Sequence, residues 1–357
     1  MGEPELTADV PPDGRSRPVP PSQWEAWPDE QLLDLRLCDL GVGVRGSELE
    51  PRIRELHREL RAAGIAHFRP FFWLSDEWYT PDGVPGVAIP FYMAHPRLAK
   101  LEFAQMLEVE GGTPEWCMRI LRHETGHAID NAYALRRRHR RQQLFGLSSK
   151  PYPEYYTPRP YSRSFVQHLE PWYAQSHPDE DFAETFAVWM TPDSPWRARY
   201  HDWPALKKVE YVDGLMREIG SHEPRLKTRR TVDPLRRLRK TLREHYREKR
   251  QRYGVDHPNV YDRDLRRLFS DAPEYRGNAS AAQFIQRTRK EVRARVARWT
   301  GEYQYTINQV IDEIAKRCRE LNLRLAVSSD EARVELAVFV AVQTMHYLHS
   351  GRHRVWL

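Results

Sequence analysis

Apolar residues recur every three to four positions in "ELEPRIRELHRELRAAGI", placing Ile53, Leu56, Leu60 and Ile65 on one side of a predicted helix. Two short apolar runs follow, "AHFRPFFWL" (66–74) and "GVAIPFYM" (86–93), flanked by Pro, Gly and Asp as strands are. Pro90 cannot donate to a ladder, so the second run suits a sheet edge. Helical spacing returns in "HPRLAKLEFAQML" and "TPEWCMRILRHETGHAIDNAYALRRR", with Pro114 at a first-turn position. Residues 145–162, rich in Pro, Tyr and Ser, read as a long loop. "HPDEDFAETFAVWM" (177–190) reads as a helix that Pro178 and Asp179 begin. Beyond about residue 216 the pattern is helical only, over roughly 234–252, 280–298, 303–322 and 330–348. Ser328 and Glu331 fit a capping box at the start of the last of these. Mixed strands and helices followed by helices alone predict an α+β domain over 23–215 and a helical, basic C-terminal region over 216–357. The polar, Pro-rich residues 1–22 predict a disordered lead-in.

Composition narrows the setting. No run of about 18 apolar residues could span a bilayer, and the first residues lack the basic-then-apolar order of a secretory signal. Cys38, Cys117 and Cys318 are too scattered for a disulfide framework or a cysteine-based zinc finger. Together these features place the chain in a reducing cytoplasm. The net charge of +6 is unevenly spread. Arg225 to Tyr253 holds 13 Lys/Arg against 3 Asp/Glu, a local +10, which leaves 6 − 10 = −4 for the remainder. A second basic run, "RRRHRR", covers 136–141. Each run reads first as a solvated face and second as a surface for an acidic partner or nucleic acid. In the longer run Leu235, Leu238 and Leu242 form an apolar stripe that would seat a helix with its arginines outward.

The candidate chemistry lies in "LRHETGHAIDNAY". Residues four apart on a helix share a face. His123 and His127 can therefore each direct a ring nitrogen at one ion about 2 Å away. Glu124 lies about 100° around the helix, poorly placed to ligate that ion but well placed to take a proton from a water beside it. Neutral imidazoles suit zinc. The alternative is two solvated residues on an ordinary helix. Ile120, Leu121, Ala128 and Ile129 count against it, because unpaired histidines on an apolar helix lose solvation uncompensated.

A catalytic zinc site needs a third protein ligand. The extended pattern ending in a third histidine is excluded, since Asp130 and Tyr133 occupy its Gly and His positions. Glu180 and Glu184 on the later helix share a face, so one can bind the metal while the other accepts a ring N–H from a ligand histidine. Spacing does not rank the two.

"HETGHAID" followed by "YAQSHPDEDFAETFAVWM" resembles a bacterial family of zinc-binding metallopeptidases and, more distantly, the catalytic domain of anthrax lethal factor. Both are gluzincins, in which H-E-x-x-H gives two ligands and a downstream helix gives a glutamate. The family order of tyrosine, six residues, ligand glutamate, three residues and second glutamate falls here on Tyr173, Glu180 and Glu184. The resemblance therefore implies a zincin-like domain with one zinc ion on His123, His127 and Glu180. It implies Glu184 as acceptor for a ligand histidine, Tyr173 as donor to the oxyanion of the tetrahedral intermediate, and Asp130 as a residue that orients a neighbour. Covering roughly residues 50–215, it also implies peptide-bond hydrolysis with Glu124 as general base, and a peptide lying antiparallel to an edge strand. "GVAIPFYM" is the candidate for that strand. Two other classes are carried forward: a nucleic-acid-associated protein using the 225–253 segment, and a zinc-holding scaffold without catalysis.

Overall fold

The computed structural model describes residues 19–153, 156, 159, 162–169, 172–252 and 262–349. Of the expected lead-in, residues 1–18 lie outside this set, while the Val19 N–H already bonds to the Asp39 carbonyl at 2.8 Å. Two short helices, α1 (Pro21–Trp24) and α2 (Asp29–Leu33), precede α3 (Leu49–Ala62). The apolar stripe read from α3 is the one it buries, with Ile53, Leu56 and Leu60 inside and Ile65 just past its end.

The two strand runs yield five residues each, β1 (Phe71–Ser75) and β2 (Gly86–Pro90), paired in parallel from Phe71 opposite Gly86 to Ser75 opposite Pro90. After Pro90 the chain turns into a 3₁₀ stretch, Phe91–Ala94, so the second run is shorter than expected. β2 is an edge strand of this two-stranded sheet, as Pro90 suggested, but the edge is partly covered. All five of its residues are buried, and on the side away from β1 Ala88 exchanges backbone hydrogen bonds with Tyr79, at 2.9 and 3.5 Å. A peptide adding along 86–93 would have to displace Tyr79 from Ala88.

Helices α4 (Pro96–Met106), α5 (Pro114–Tyr133), α6 (His139–Phe145), α7 (Pro178–Met190), α8 (Trp196–Arg199) and α9 (Leu206–Ile219) follow. The helix expected from 234 begins only at Leu242, as α10 (Leu242–Arg252). Its predicted first turns are held otherwise: the Leu37 and Cys38 N–H groups donate to the carbonyls of Lys240 and Leu238, at 3.0 and 2.9 Å. α10 starts on a reciprocal cap in "TLRE", where Thr241 N–H donates to the Glu244 carboxylate and Glu244 N–H to Thr241 Oγ1, at 2.8 and 3.1 Å.

One hydrophobic core runs from Trp24 through α3, β2, α4, α5 and α7 to Leu235, Leu242 and Tyr246, so the basic segment packs on the first part of the chain through its leucines. A second core joins α11 (Asp262–Leu268), α12 (Ala281–Thr300), α13 (Gln304–Glu320) and α14 (Ser329–His349), with the small antiparallel pair β3 (Phe269–Ser270) and β4 (Arg324–Leu325) at its side. The capping residue read for α14 is in place, Glu331 N–H donating to Ser328 Oγ at 3.3 Å. The architecture is thus mostly helical with a small parallel sheet. Among the described residues no helix is long and apolar enough to cross a membrane.

Candidate metal centre

Two helix starts and one glycine set the site. Thr113 caps α5 by accepting from Trp116 N–H at 3.2 Å, ahead of Pro114. His177 does the same for α7. Its Nδ1 accepts from Asp179 N–H at 3.2 Å, and its Nε2 lies 2.9 Å from the Lys150 carbonyl, which fixes the tautomer. Asp179, Glu180 and Asp181 then occupy the first turn of α7, where the helix dipole favours carboxylates. α5 and α7 cross at Gly126, where a Cβ would lie 2.8 Å from the Ala183 Cα. That contact brings Glu180, one turn before Ala183, against the two histidines.

His123 Nε2 and His127 Nε2 lie 3.0 and 3.1 Å from Glu180 Oε2 and 3.2 Å from each other. These three residues are the one group among the described residues whose donor atoms converge as metal ligands do. Donors about 2.1 Å from a tetrahedral ion stand about 3.4 Å apart, so the triangle needs to open only slightly to take one. The electrostatics fit as well. Burial opposes charge on His123, but Glu180 and Glu184 overcome it and raise its pKa well above the usual imidazole range. Burial likewise favours the neutral acid of Glu180, and His127 and His123 instead hold it well below the usual carboxylate range. The buried carboxylate of Glu180 thus draws positive charge into the gap between the two rings, and a divalent cation supplies it without extra protons.

Glu184 is fully buried on the far side of His123. It lies 2.8 Å from the Nδ1 of that ring and accepts Leu169 N–H at 2.7 Å. The pair that spacing left unranked is therefore split by geometry, Glu180 facing the two Nε2 atoms and Glu184 the outer nitrogen. Glu124 is not one of the three converging residues; it accepts from Thr80 Oγ1 at 2.8 Å. Tyr173 begins a 3₁₀ turn after Trp172, whose φ is 63°, and its ring centroid is 5.5 Å from that of His123. Burial, with Glu180 and Glu124 nearby, keeps its phenol protonated well above the usual range. Asp130 is buried and accepts Arg136 N–H and Arg141 Nη2, both at 2.8 Å.

The basic run 136–141 is not simply a solvated face, which corrects the first reading of it. Arg141 is wholly buried, bridging Asp130 and Asp179 at 2.8 and 2.6 Å, while Arg136 lies 3.9 and 3.8 Å from the same two carboxylates. In the longer run Lys249 is buried against Glu102 at 3.0 Å, and Arg243 and Lys240 pair with Asp34 and Asp76 at 2.8 and 3.0 Å. Three site residues escaped the pattern: Arg141, Thr80, and Tyr152, whose hydroxyl donates to Glu180 Oε1 at 2.8 Å while its ring stacks 3.8 Å from His177. A tyrosine in a Tyr-rich loop gives no spacing to read, and Thr80 is a lone hydroxyl.

Neither a curated protein nor a solved structure matches the chain, so the more distant likeness to lethal factor gains no support. Over residues 118–193, which carry both histidines, both glutamates and the crossing of α5 with α7, the chain is similar to the family described as "Putative zinc-binding metallo-peptidase".

Proposed function

We propose that the chain is a cytoplasmic zinc peptidase of zincin-like fold that hydrolyses peptide bonds. The observation that carries this is the convergence of His123, His127 and Glu180 on one point while Glu124, on the next position of the same helix, is not one of the three and accepts from Thr80. In this reading His123, His127 and Glu180 hold one zinc ion, which when bound supplies Lewis acidity toward a carbonyl and lowers the pKa of a water. Glu184 fixes the tautomer and orientation of His123. Tyr152 tethers the other oxygen of Glu180. Glu124 takes the proton of the attacking water and passes it to the departing amine. The protonated Tyr173 donates to the oxyanion, and Asp130 with Arg141 secures the start of α7 beside Glu180.

Elemental analysis of fresh protein tests the metal, with about one zinc per chain expected and its loss in His123→Ala. No metal after zinc addition would leave two ordinary helix histidines and overturn the proposal. Glu124→Gln separates a peptidase from a zinc-holding scaffold: metal retained with hydrolysis abolished supports the peptidase, and unchanged hydrolysis removes Glu124 from the chemistry.

A further inference from the structure

The solvent face of α12 has a composition that packing does not explain. Arg287, Lys290, Arg295 and Arg298 lie on this exposed half of the helix, about 16 Å from first to last. Arg295 is joined to Glu291 at 3.0 Å, but Arg287, Lys290 and Arg298 have no carboxylate partner among the described residues. At the end of this row Trp299 is 79% exposed, the most exposed large apolar side chain among the described residues. Ala294, Arg295, Arg298 and Trp299 line a shallow depression, which brings a methyl, an indole and two guanidinium groups together.

An indole left in water beside Arg298, which has no carboxylate partner among the described residues, and Arg295, which shares Glu291, forgoes hydrophobic burial, and the second core makes no use of it. The chemistry that satisfies all four residues at once is a flat ring to lie on the indole, joined to anionic groups for the arginines. A nucleotide unit has both, and a row of cations leading to the depression extends the match to a strand. A duplex hides its base faces in the stack, so it could use the cations but not the tryptophan. The exposed arginines of 225–239 differ, because that segment contains no aromatic residue and offers charge alone.

We infer that the α12 face binds single-stranded nucleic acid, one base stacking on Trp299 and its phosphates lying on Arg295 and Arg298. None of the residues lining this depression belongs to the metal centre, and Glu124→Gln should bind as the parent does. The test is fluorescence anisotropy with a short labelled oligo(dT) across a salt series. The parent is expected to bind with affinity that falls linearly with salt on a log–log plot. Trp299→Ala should weaken binding about tenfold with the slope kept. Arg298→Ala should weaken it and reduce the slope by about one, while Arg237→Ala changes it less. Because both side chains are exposed, far-UV circular dichroism should be unchanged in either variant. Binding by Trp299→Ala equal to the parent, no binding at low salt, or binding to phosphatidylserine vesicles in place of the oligonucleotide would each overturn the inference.

Discussion

Arg141→Met tests whether the buried charge network below the metal centre is structural. The guanidinium is wholly buried and bridges Asp130 and Asp179, both also buried, with Nη1 donating to Ser148 at 2.9 Å. Methionine keeps most of the volume and removes the charge, leaving two carboxylates in the interior. Breaking one buried pair costs about 3–5 kcal/mol, chiefly because the surviving charge is unpaired. Here two charges survive. Each keeps some relief, since Asp130 still accepts Arg136 N–H and Asp179 still accepts Ser148 Oγ, so about 4 kcal/mol is expected. Against a typical total of about 5–15 kcal/mol, that is a large share. At about 2–4 °C per kcal/mol for a body of this size, the melting temperature should fall by about 8–16 °C. Urea unfolding followed by circular dichroism gives the free energy directly. Arg138→Met serves as control, because Arg138 forms an equally short bidentate pair with Glu218, but at the surface, where loss should cost under about 1 kcal/mol. Adding Asp130→Asn and Asp179→Asn to Arg141→Met should recover much of the loss by removing the stranded charges. Equal costs for the Arg141 and Arg138 variants, or no recovery in the triple variant, would refute the reasoning.

Three further outcomes are expected. Glu184→Ala frees the outer nitrogen of His123 and should weaken zinc binding about 10–100-fold in a chelator competition, and an unchanged affinity would detach Glu184 from the site. Gly126→Ala drives a methyl into the α7 backbone at Ala183 and should cost about 1–3 kcal/mol while lowering zinc affinity, since α7 must retreat with Glu180; tolerance on both measures would mean the helix crossing does not set the triangle. Glu302 is buried, and desolvation raises its pKa from 4.5 to about 7. Its folded value lies above its unfolded one, so its share of stability is full below about pH 4.5 and is lost as pH rises to about 7. Glu302→Gln should remove at most about 3 kcal/mol of that pH dependence in urea titrations at pH 5 and pH 8, and parallel losses in parent and variant would contradict it.

The histidine pair was legible because its chemistry lies within one helix, where spacing alone fixes which side chains meet. The choice between Glu180 and Glu184 was not, because both lie on one face and only the approach of a second helix separates them. That approach depends on Gly126, a residue whose meaning in a sequence is an empty space. The basic runs misled for a related reason: the partners of Arg141 and Lys249 are Asp179 and Glu102, far away in the chain, and a run of charges does not say what faces it. The late start of α10 did have a local sign. "TLRE" is a capping box, but the helical spacing of the leucines before it drew the boundary too early. β2 was recognised as a strand, yet its partly covered edge depends on Tyr79, which no alternation announces.

The pairing of Leu37 and Cys38 with Leu238 and Lys240 sets a timetable for biosynthesis. Leu37 waits for Lys240, 240 − 37 = 203 residues later, before its N–H finds its carbonyl. At about 5–20 residues per second, a ribosome needs about 10–40 s to deliver that partner. Through that interval both metal-site helices have been synthesised, but the core they pack into still lacks Leu235, Leu242 and Tyr246. The nascent chain therefore exposes an unfinished apolar surface beside two histidines and two glutamates, and the basic segment closes it. A chain stopped at residue 215 would lack Leu235, Leu242 and Tyr246 from the first core.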